Sequence, residues 1–479
     1  MALYCLPGFA DSNYLNSSIE CIPQTDLVGV ANKFKQFSEL VDRKEICRSE
    51  IGDQYFKIVH TLVALKNYRP DFSRVVDTQD VFTIDVLGKI SKSDESSWWD
   101  YFTKRINYLV DDTSRFSFEE ELGDCGTSTV ALVNFSSFIG EKRPITVCRH
   151  FFEVDVYQRI MVFLHEARHV DGIAKHEHVE CIHGEYEGFD GACDKDFFSY
   201  SSYAVTVSLL AKFGVDQNLT YRQRFEAKQS AIYHIWNSFN IIPPVKYREV
   251  IYFVTSDGKI RSINLTTGTI QVVREEKAGT ELYSNHNGGI VLREKNRWVK
   301  AYSEDSWTEL PWVLEDMNQA QRLLKKKEVI DWHGAGMGQF FTKDRVIADC
   351  DDVSALLGRD PLFLSEAGFE GDYRGKVIIE EHPTNYQQGF ITQDNKHYYA
   401  YCQFGSLIIE EDKNCEIPSD LNEVYIGREF IYGVDRKGSL VQYLKDDIEK
   451  KKIILSFSRF GPISSFVFSR VYDYFKKID

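Results

Sequence analysis

Between residues 29 and 245 the apolar positions recur at helical spacing in five windows, 29–42, 53–66, 153–171, 201–213 and 220–238. Shorter strand-like runs lie between them, at 129–135 and 145–149. This mixture predicts an α+β unit. The segment NIIPPVKYR, 240–248, stops the last helical window, because Pro243 and Pro244 lack amide donors and fix φ. The expected division is a first domain over 1–242 and a second over 246–479.

Beyond Pro244 the period changes from 3.6 to two. VIYFVTSDGKIRSINLTTGTIQVV, 250–273, alternates apolar and polar residues around turns at Asp257-Gly258 and Thr267-Gly268. Comparable strand pairs recur at 291–303, 339–350, 390–402 and 429–444, at a spacing close to that of propeller repeats. The pattern predicts a multidomain chain, α+β and then all-β, whose second part is a small β-propeller of about five blades. A β-sandwich is the alternative.

One window carries chemistry. In DVYQRIMVFLHEARHVDG, 155–172, Tyr157, Ile160, Met161 and Leu164 form an apolar face, and His165 and His169 follow four residues apart. Residues i and i+4 are neighbours on a helix, so both imidazoles can reach one ion. Glu166, beside the first, is placed to act as general base on a zinc-activated water. The order HExxH on an amphipathic helix, downstream of the strand-like ITVC at 145–148, is the pattern of a zincin-type metallopeptidase with one Zn²⁺. A helix surface with incidental histidines is the plain alternative.

A catalytic zinc needs a third protein ligand and an open position. The candidates are His176, His178, Glu180 and Asp194. In metzincins, HExxHxxGxxH would place the ligand at 175, which is Lys175 here, and on a continued helix His176 would lie about 10 Å beyond His169. GACDKDF, 191–197, resembles the GTxDxxY element of the aspzincins, the deuterolysin family. That resemblance implies Asp194 as third ligand, with His176 as the alternative. Ala192 replaces the family's Thr and Phe197 its Tyr, leaving Tyr200 or Tyr203 to steady the oxyanion, with Tyr203 taken as the catalytic one. HEARHVDG, Cys193-Asp194 and YAVTVSLL, 203–210, together also resemble uncharacterised bacterial proteins predicted to be secreted zinc peptidases. Arg168 and Asp171 read as helix-surface or ion-pairing groups.

The ten Cys contain no CxxC, and the spacings of Cys5/Cys21, Cys125/Cys148, Cys181/Cys193 and Cys402/Cys415 suit disulfides in an oxidising compartment. A Cys181–Cys193 bond would fix Asp194; ten unpaired thiols, or thiols ligating zinc, are the alternatives. MALYCLPGF has no signal-peptide character, and Met1-Ala2 reads as a new start on a mature secreted or periplasmic protein. No run is long and apolar enough for a membrane span. Net charge is −15 with scattered basic residues, which argues against nucleic acid as a partner. The expected function is zinc-dependent hydrolysis of a protein or peptide. Its rivals are a binding or adhesion protein, with a protein or cell-surface ligand on the propeller and an inactive zincin-like domain, and a hydrolase of non-peptide amides.

Overall fold

The computed structural model describes residues 14–16, 18–69, 86, 98–111, 130–133, 143–170, 178–183, 188–285, 289–295, 297–304, 306–315, 318, 329–333, 339–342, 346–348, 362–363, 373–379, 388–392, 396–403, 406–411, 416–427, 429–445 and 447–472. The chain divides into two compact units between Val245 and Lys246.

In the first unit, β1 (Cys21–Pro23) pairs antiparallel with β2 (Glu45–Cys47), and α1 (Gln24–Lys33) lies between them in sequence. The single helical window expected at 29–42 is two elements. Phe34 is extended, with φ −117° and ψ 94°, so α1 ends there and a 3₁₀ turn, Lys35–Leu40, follows. Cys21 and Cys47 are register partners and are disulfide-bonded. This corrects the expected Cys5/Cys21 pair: strand pairing places the two residues opposite each other across a 26-residue separation.

The short helix α2 (Arg48–Ile51) leads into α3 (Asp53–Asn67), in which every residue from Ile58 to Leu65 is buried. A helix apolar on all sides belongs in a core, and α3 packs on α1, α4 (Trp98–Thr103) and α5 (Val156–His169). The sheet of this unit has the order β3-β5-β4, with β3 (Ile106–Asp111) parallel to β5 (Arg143–Val147) and β4 (Ala131–Leu132) antiparallel to β5. Within the strand-like run expected at 129–135, the described strand is these two residues of β4.

Helix α5 is the one that carries HExxH. It begins at Val156 rather than 153, because residues 149–152 form a 3₁₀ turn, and the Gln158 side chain accepts from the Asp155 amide at 2.9 Å to fix its start. Its Phe163 ring stacks on Phe102 and Phe151, with centroids 5.1 and 5.0 Å away. Buried Arg159 donates to Thr61 of α3 at 2.9 Å and to the Val154 carbonyl at 2.8 Å. The helix is thereby held on two sides before any ion is considered. Helix α6 (Ser202–Phe213), buried at every residue but Tyr203, packs on α5 and on α7 (Tyr221–Asn237), which a Thr220/Gln223 capping box starts. A parallel pair, β6 (Asp194–Asp196) with β7 (Phe239–Ile241), completes the unit.

Among its described residues the regular structure of the second unit is strand, apart from a short helix α8 (Phe457–Phe460) and the helical residues 311–315 and 318. Its strands form successive antiparallel meanders. The first sheet, in the order β10-β9-β8-β26, contains β8 (Tyr247–Thr255), β9 (Lys259–Asn264), β10 (Ile270–Glu275) and β26 (Ile463–Tyr472). The second runs β11 (Glu281–Asn285), β12 (Gly289–Glu294), β13 (Arg297–Ser303), and the third β14 (Val329–His333) to β17 (Leu362–Phe363). The fourth, β18 (Tyr373–Ile379) to β21 (Ser406–Glu411), and the fifth, β22 (Leu421–Ile426) to β25 (Asp447–Leu455), join through a parallel β18/β22 contact.

The first sheet buries both faces, and the period of two assigns them. Val250, Tyr252 and Val254 of β8, with Val467 and Val471 of β26, pack on Leu282, Ile290, Leu292 and Tyr302 of the second sheet. Ile251 and Phe253, with Phe466 and Phe468, pack instead on Tyr425, Tyr432 and Leu440 of the fifth. Such strands read as continuous apolar runs, as IYFV does at 251–254.

Candidate metal centre

Two of the site's histidines follow from helical geometry. His165 and His169, one turn apart on α5, bring their Nε2 atoms to 3.2 Å. The third comes from outside the helix. His178 contributes a ring nitrogen to the same point, and one ligating atom from each of the three lies within 4.8 Å of the others.

What lies behind each ring decides which nitrogen faces inward. The Thr206 hydroxyl of α6 donates to the Ser202 carbonyl at 3.3 Å, so its oxygen accepts from His165 Nδ1 at 2.9 Å and leaves Nε2 as the bare nitrogen. Asp194 Oδ1 holds His178 Nδ1 at 2.8 Å, so the inward atom of His178 is also Nε2. A carboxylate or hydroxyl behind a ligating imidazole fixes both its tautomer and its orientation. Burial and the neighbouring imidazoles of His169 and His178 push His165 well below the usual histidine range, so it is neutral, as a metal ligand must be.

The expected third ligand, Asp194, therefore stands one step further out. Both of its oxygens are in use: Oδ1 on His178, Oδ2 on the Ser201 hydroxyl and on the Tyr203 amide at 2.7 Å, with the residue 1% exposed. The physical reason is the return of the chain after α5. Val179 and Cys193 form an antiparallel bridge and Cys181 is disulfide-bonded to Cys193, which sets His178 alongside Asp194 with the imidazole nearer the α5 pair. The alternative ligand His176 lies outside the described residues. Glu180 is not part of the cluster; its carbonyl accepts from Asn240 at 2.8 Å.

Of the other expected pairs, Cys181–Cys193 is present and Cys148 is disulfide-bonded, while Cys125 and Cys415 lie outside the described residues. The second group with ligand-like proximity, Cys21, Glu45 and Cys47, is spoken for by the Cys21–Cys47 bond.

Glu166 is 5% exposed, and burial pushes its carboxyl well above the usual range. The Tyr203 ring lies 5.0 Å from that of His165 and 4.7 Å from that of His178, so the tyrosine borders the cluster. On its other side His234 of α7 is 5.4 Å away, with Nδ1 on Ser238 at 2.9 Å; burial lowers its pKa to about 4, with Asp194 opposing. Arg168, expected at the helix surface or in an ion pair behind the ligands, is 3% exposed and donates to the Tyr200 carbonyl at 2.6 Å.

Sequence reasoning passed over Thr206, Ser201 and His234. A hydroxyl four residues beyond the helix N-terminus on YAVTVSLL was the available signal for Thr206; nothing local marks the other two. Three imidazole nitrogens in a tight cluster suit Zn²⁺: nitrogens 2.0–2.1 Å from a tetrahedral ion stand about 3.3 Å apart, close to the Nε2 separation on α5.

No family model matches the chain, and no curated protein matches it. Among solved structures, similar chains include PorZ, described as an essential bacterial surface component of the type IX secretion system of Porphyromonas gingivalis. The match is 10% identical over 44% of this chain and 27% of PorZ, with a TM-score of 0.21. Apo AztD from Citrobacter koseri matches at 10% identity over 43% of this chain and 71% of that one, with a TM-score of 0.21. Regucalcin from Agrobacterium tumefaciens, described as a calcium-binding protein, matches at 10% over 41% and 68%, with a TM-score of 0.22. Likenesses at this level carry no argument about activity.

Proposed function

We propose that the first unit is a zinc-dependent peptidase in which His165, His169 and His178 hold the ion, Glu166 is the general base and Tyr203 attends the oxyanion. The observation that carries this reading is the convergence of three imidazole nitrogens within 4.8 Å beside a buried carboxylate on the same helix. Zn²⁺ held there would polarise the scissile carbonyl and the attacking water, and its charge would draw Glu166 back towards the ionised form. Glu166 takes the proton of the attacking water and passes it to the leaving amine. Tyr203 is assigned the oxyanion because its ring borders two of the three imidazoles. The substrate class is a protein or peptide.

Glu166→Gln removes the base and no ligand. It is expected to keep one zinc per chain and the native melting profile, while hydrolysis of a denatured protein falls by roughly 10³ or more. Equal activity in the two proteins ends the peptidase reading.

The second unit we read as a five-bladed propeller that binds a protein or cell-surface ligand. Its support is the first sheet, which packs on the second through one face and on the fifth through the other, as a blade does in a closed ring. Fragment 246–473 is expected to fold with a β-type circular dichroism spectrum, and a helical spectrum would remove this reading. If Glu166→Gln proves as active as the parent, the binding role becomes the better account of the whole chain. The disulfides support a secreted or periplasmic location.

A further inference from the structure

A buried charge on the motif helix has no part in the chemistry above. Arg168 sits between the two motif imidazoles and their loop-borne partner in connectivity rather than in space. Its Nε donates to the Tyr200 carbonyl at 2.6 Å, and it is 3% exposed. Tyr200 has φ 54° and ψ 42°, a left-handed conformation disfavoured for a residue with a Cβ. That corner turns the chain from the 3₁₀ turn Phe197–Ser199 into α6. Immediately after it come Ser201, whose hydroxyl donates to Asp194, and Tyr203, whose amide donates to the same oxygen at 2.7 Å. Asp194 in turn holds His178 at 2.8 Å.

We infer that Arg168 is a positioning residue for the third ligand: it ties the HExxH helix to the left-handed corner at Tyr200, and through Ser201, Tyr203 and Asp194 it sets the His178 imidazole. The inference rests on the three-imidazole reading proposed above. Helix α5 thus supplies two ligands directly and governs the third through a backbone carbonyl. A guanidinium suits the task because its planar fork of N–H donors is directional and pre-organised. Residues behind a metal ligand commonly change affinity tenfold to a hundredfold when altered.

The test is zinc affinity, measured in the full chain by competition with a chromophoric chelator, together with the visible spectrum of the Co²⁺ form. Arg168→Met is expected to bind zinc 10- to 100-fold more weakly and to shift the cobalt bands, and Arg168→Lys, which keeps a buried donor, to recover most of the loss. In a His178→Ala background, Arg168→Met should change the residual affinity less than twofold, because the link then has nothing to position. Affinity within twofold of wild type, or an equal loss with and without His178, overturns the inference.

Should Arg168→Met fail to fold by near-ultraviolet circular dichroism, Ser201→Ala interrupts the same link from its far end. It should lose at least tenfold in the wild-type background and less than twofold without His178; an effect below twofold in both overturns the inference. A wild-type chain that binds no stoichiometric zinc removes the zinc reading and this inference together. Zinc-replete wild type with an indifferent Arg168→Met removes the inference alone.

Discussion

The two halves of the candidate centre are built by different means. His165, Glu166 and His169 share α5, whose ring stacking and Arg159 contacts fix it inside the core of the first unit. His178 adjoins an isolated bridge rather than a helix, and its surroundings are held by that bridge, a disulfide, the Asn240 side chain and a buried carboxylate. The first half owes its geometry to the 3.6-residue period and to apolar packing. The second owes it to a few specific bonds between residues distant in sequence. A site assembled this way should lose its third ligand long before it loses its helix.

The largest effect expected from this contrast is that of His169→Ala, which removes a ligand from the rigid half. Stoichiometric zinc binding should disappear while thermal unfolding of the metal-free protein changes little, because His169 ends α5 and Phe163, Ile160 and Arg159 still anchor the helix. A metal-free variant that melts far below the metal-free parent would mean the cluster also holds the fold.

Replacing Cys181 and Cys193 with Ser attacks the other half. Closing a loop of 12 residues' separation restricts the unfolded chain by about 3 kcal/mol. The double variant is expected to unfold at lower denaturant and to bind zinc more weakly, with the circular dichroism of the helices retained. Undiminished zinc affinity would show that Asp194 and the Val179 bridge suffice to hold His178.

Acid should strike the helical scaffold itself. His60 in α3 is buried, its Nε2 lies 2.9 Å from the Tyr14 carbonyl, and burial together with Arg159 lowers its pKa from 6.5 to about 4. The folded state thus keeps His60 neutral where the unfolded chain would protonate it. Its contribution is complete above pH 6.5 and is lost as pH falls towards 4, amounting to roughly 3 kcal/mol at the acid end. Denaturant melts of the metal-free protein at pH 7 and pH 4.5, compared with His60→Gln, measure it. A pH dependence that is the same in both proteins excludes His60 as its source.

The smallest expected effect is that of Asp194→Asn. The amide keeps an oxygen for some of its partners but loses the charge behind His178, so zinc affinity should fall tenfold to a hundredfold, about 1.4–2.7 kcal/mol. Loss comparable with His169→Ala would instead make Asp194 a direct ligand.

Legibility in the sequence follows the same division. The helical windows at 53–66, 201–213 and 220–238 lie within a residue or two of α3, α6 and α7, because apolar periodicity is a local property of the chain. Turn pairs such as Asp257-Gly258 marked their hairpins for the same reason. The resemblance at GACDKDF brings Asp194 to the site as the expected third ligand, and the structure sets its carboxylate behind His178. Its neighbour Cys193 forms an isolated bridge with Val179, and no spacing rule announces that His178 then joins the α5 imidazoles. Cys47 was missed as the partner of Cys21 because their contact depends on two three-residue strands flanking a helix and a turn. The burial of Arg168 was equally invisible: its acceptor is a carbonyl, which carries no sequence identity.

The pairing of β8 with β26 imposes an order of events on synthesis. Ser464 and Val254 hydrogen-bond although 210 residues separate them, so β8 leaves the ribosome long before the strand that completes its sheet. Throughout that interval its ladder edge stands open, and Ile251 and Phe253 lack the Phe466 and Phe468 rings that share their core. Contacts of such sequence separation form slowly. An open edge is also a template for the equivalent strand of another copy, which competes as chain concentration rises. At high expression levels, exchange of β26 between chains is therefore the expected misassembly, to be read as concentration-dependent dimers in size-exclusion chromatography; a strictly monomeric product excludes it.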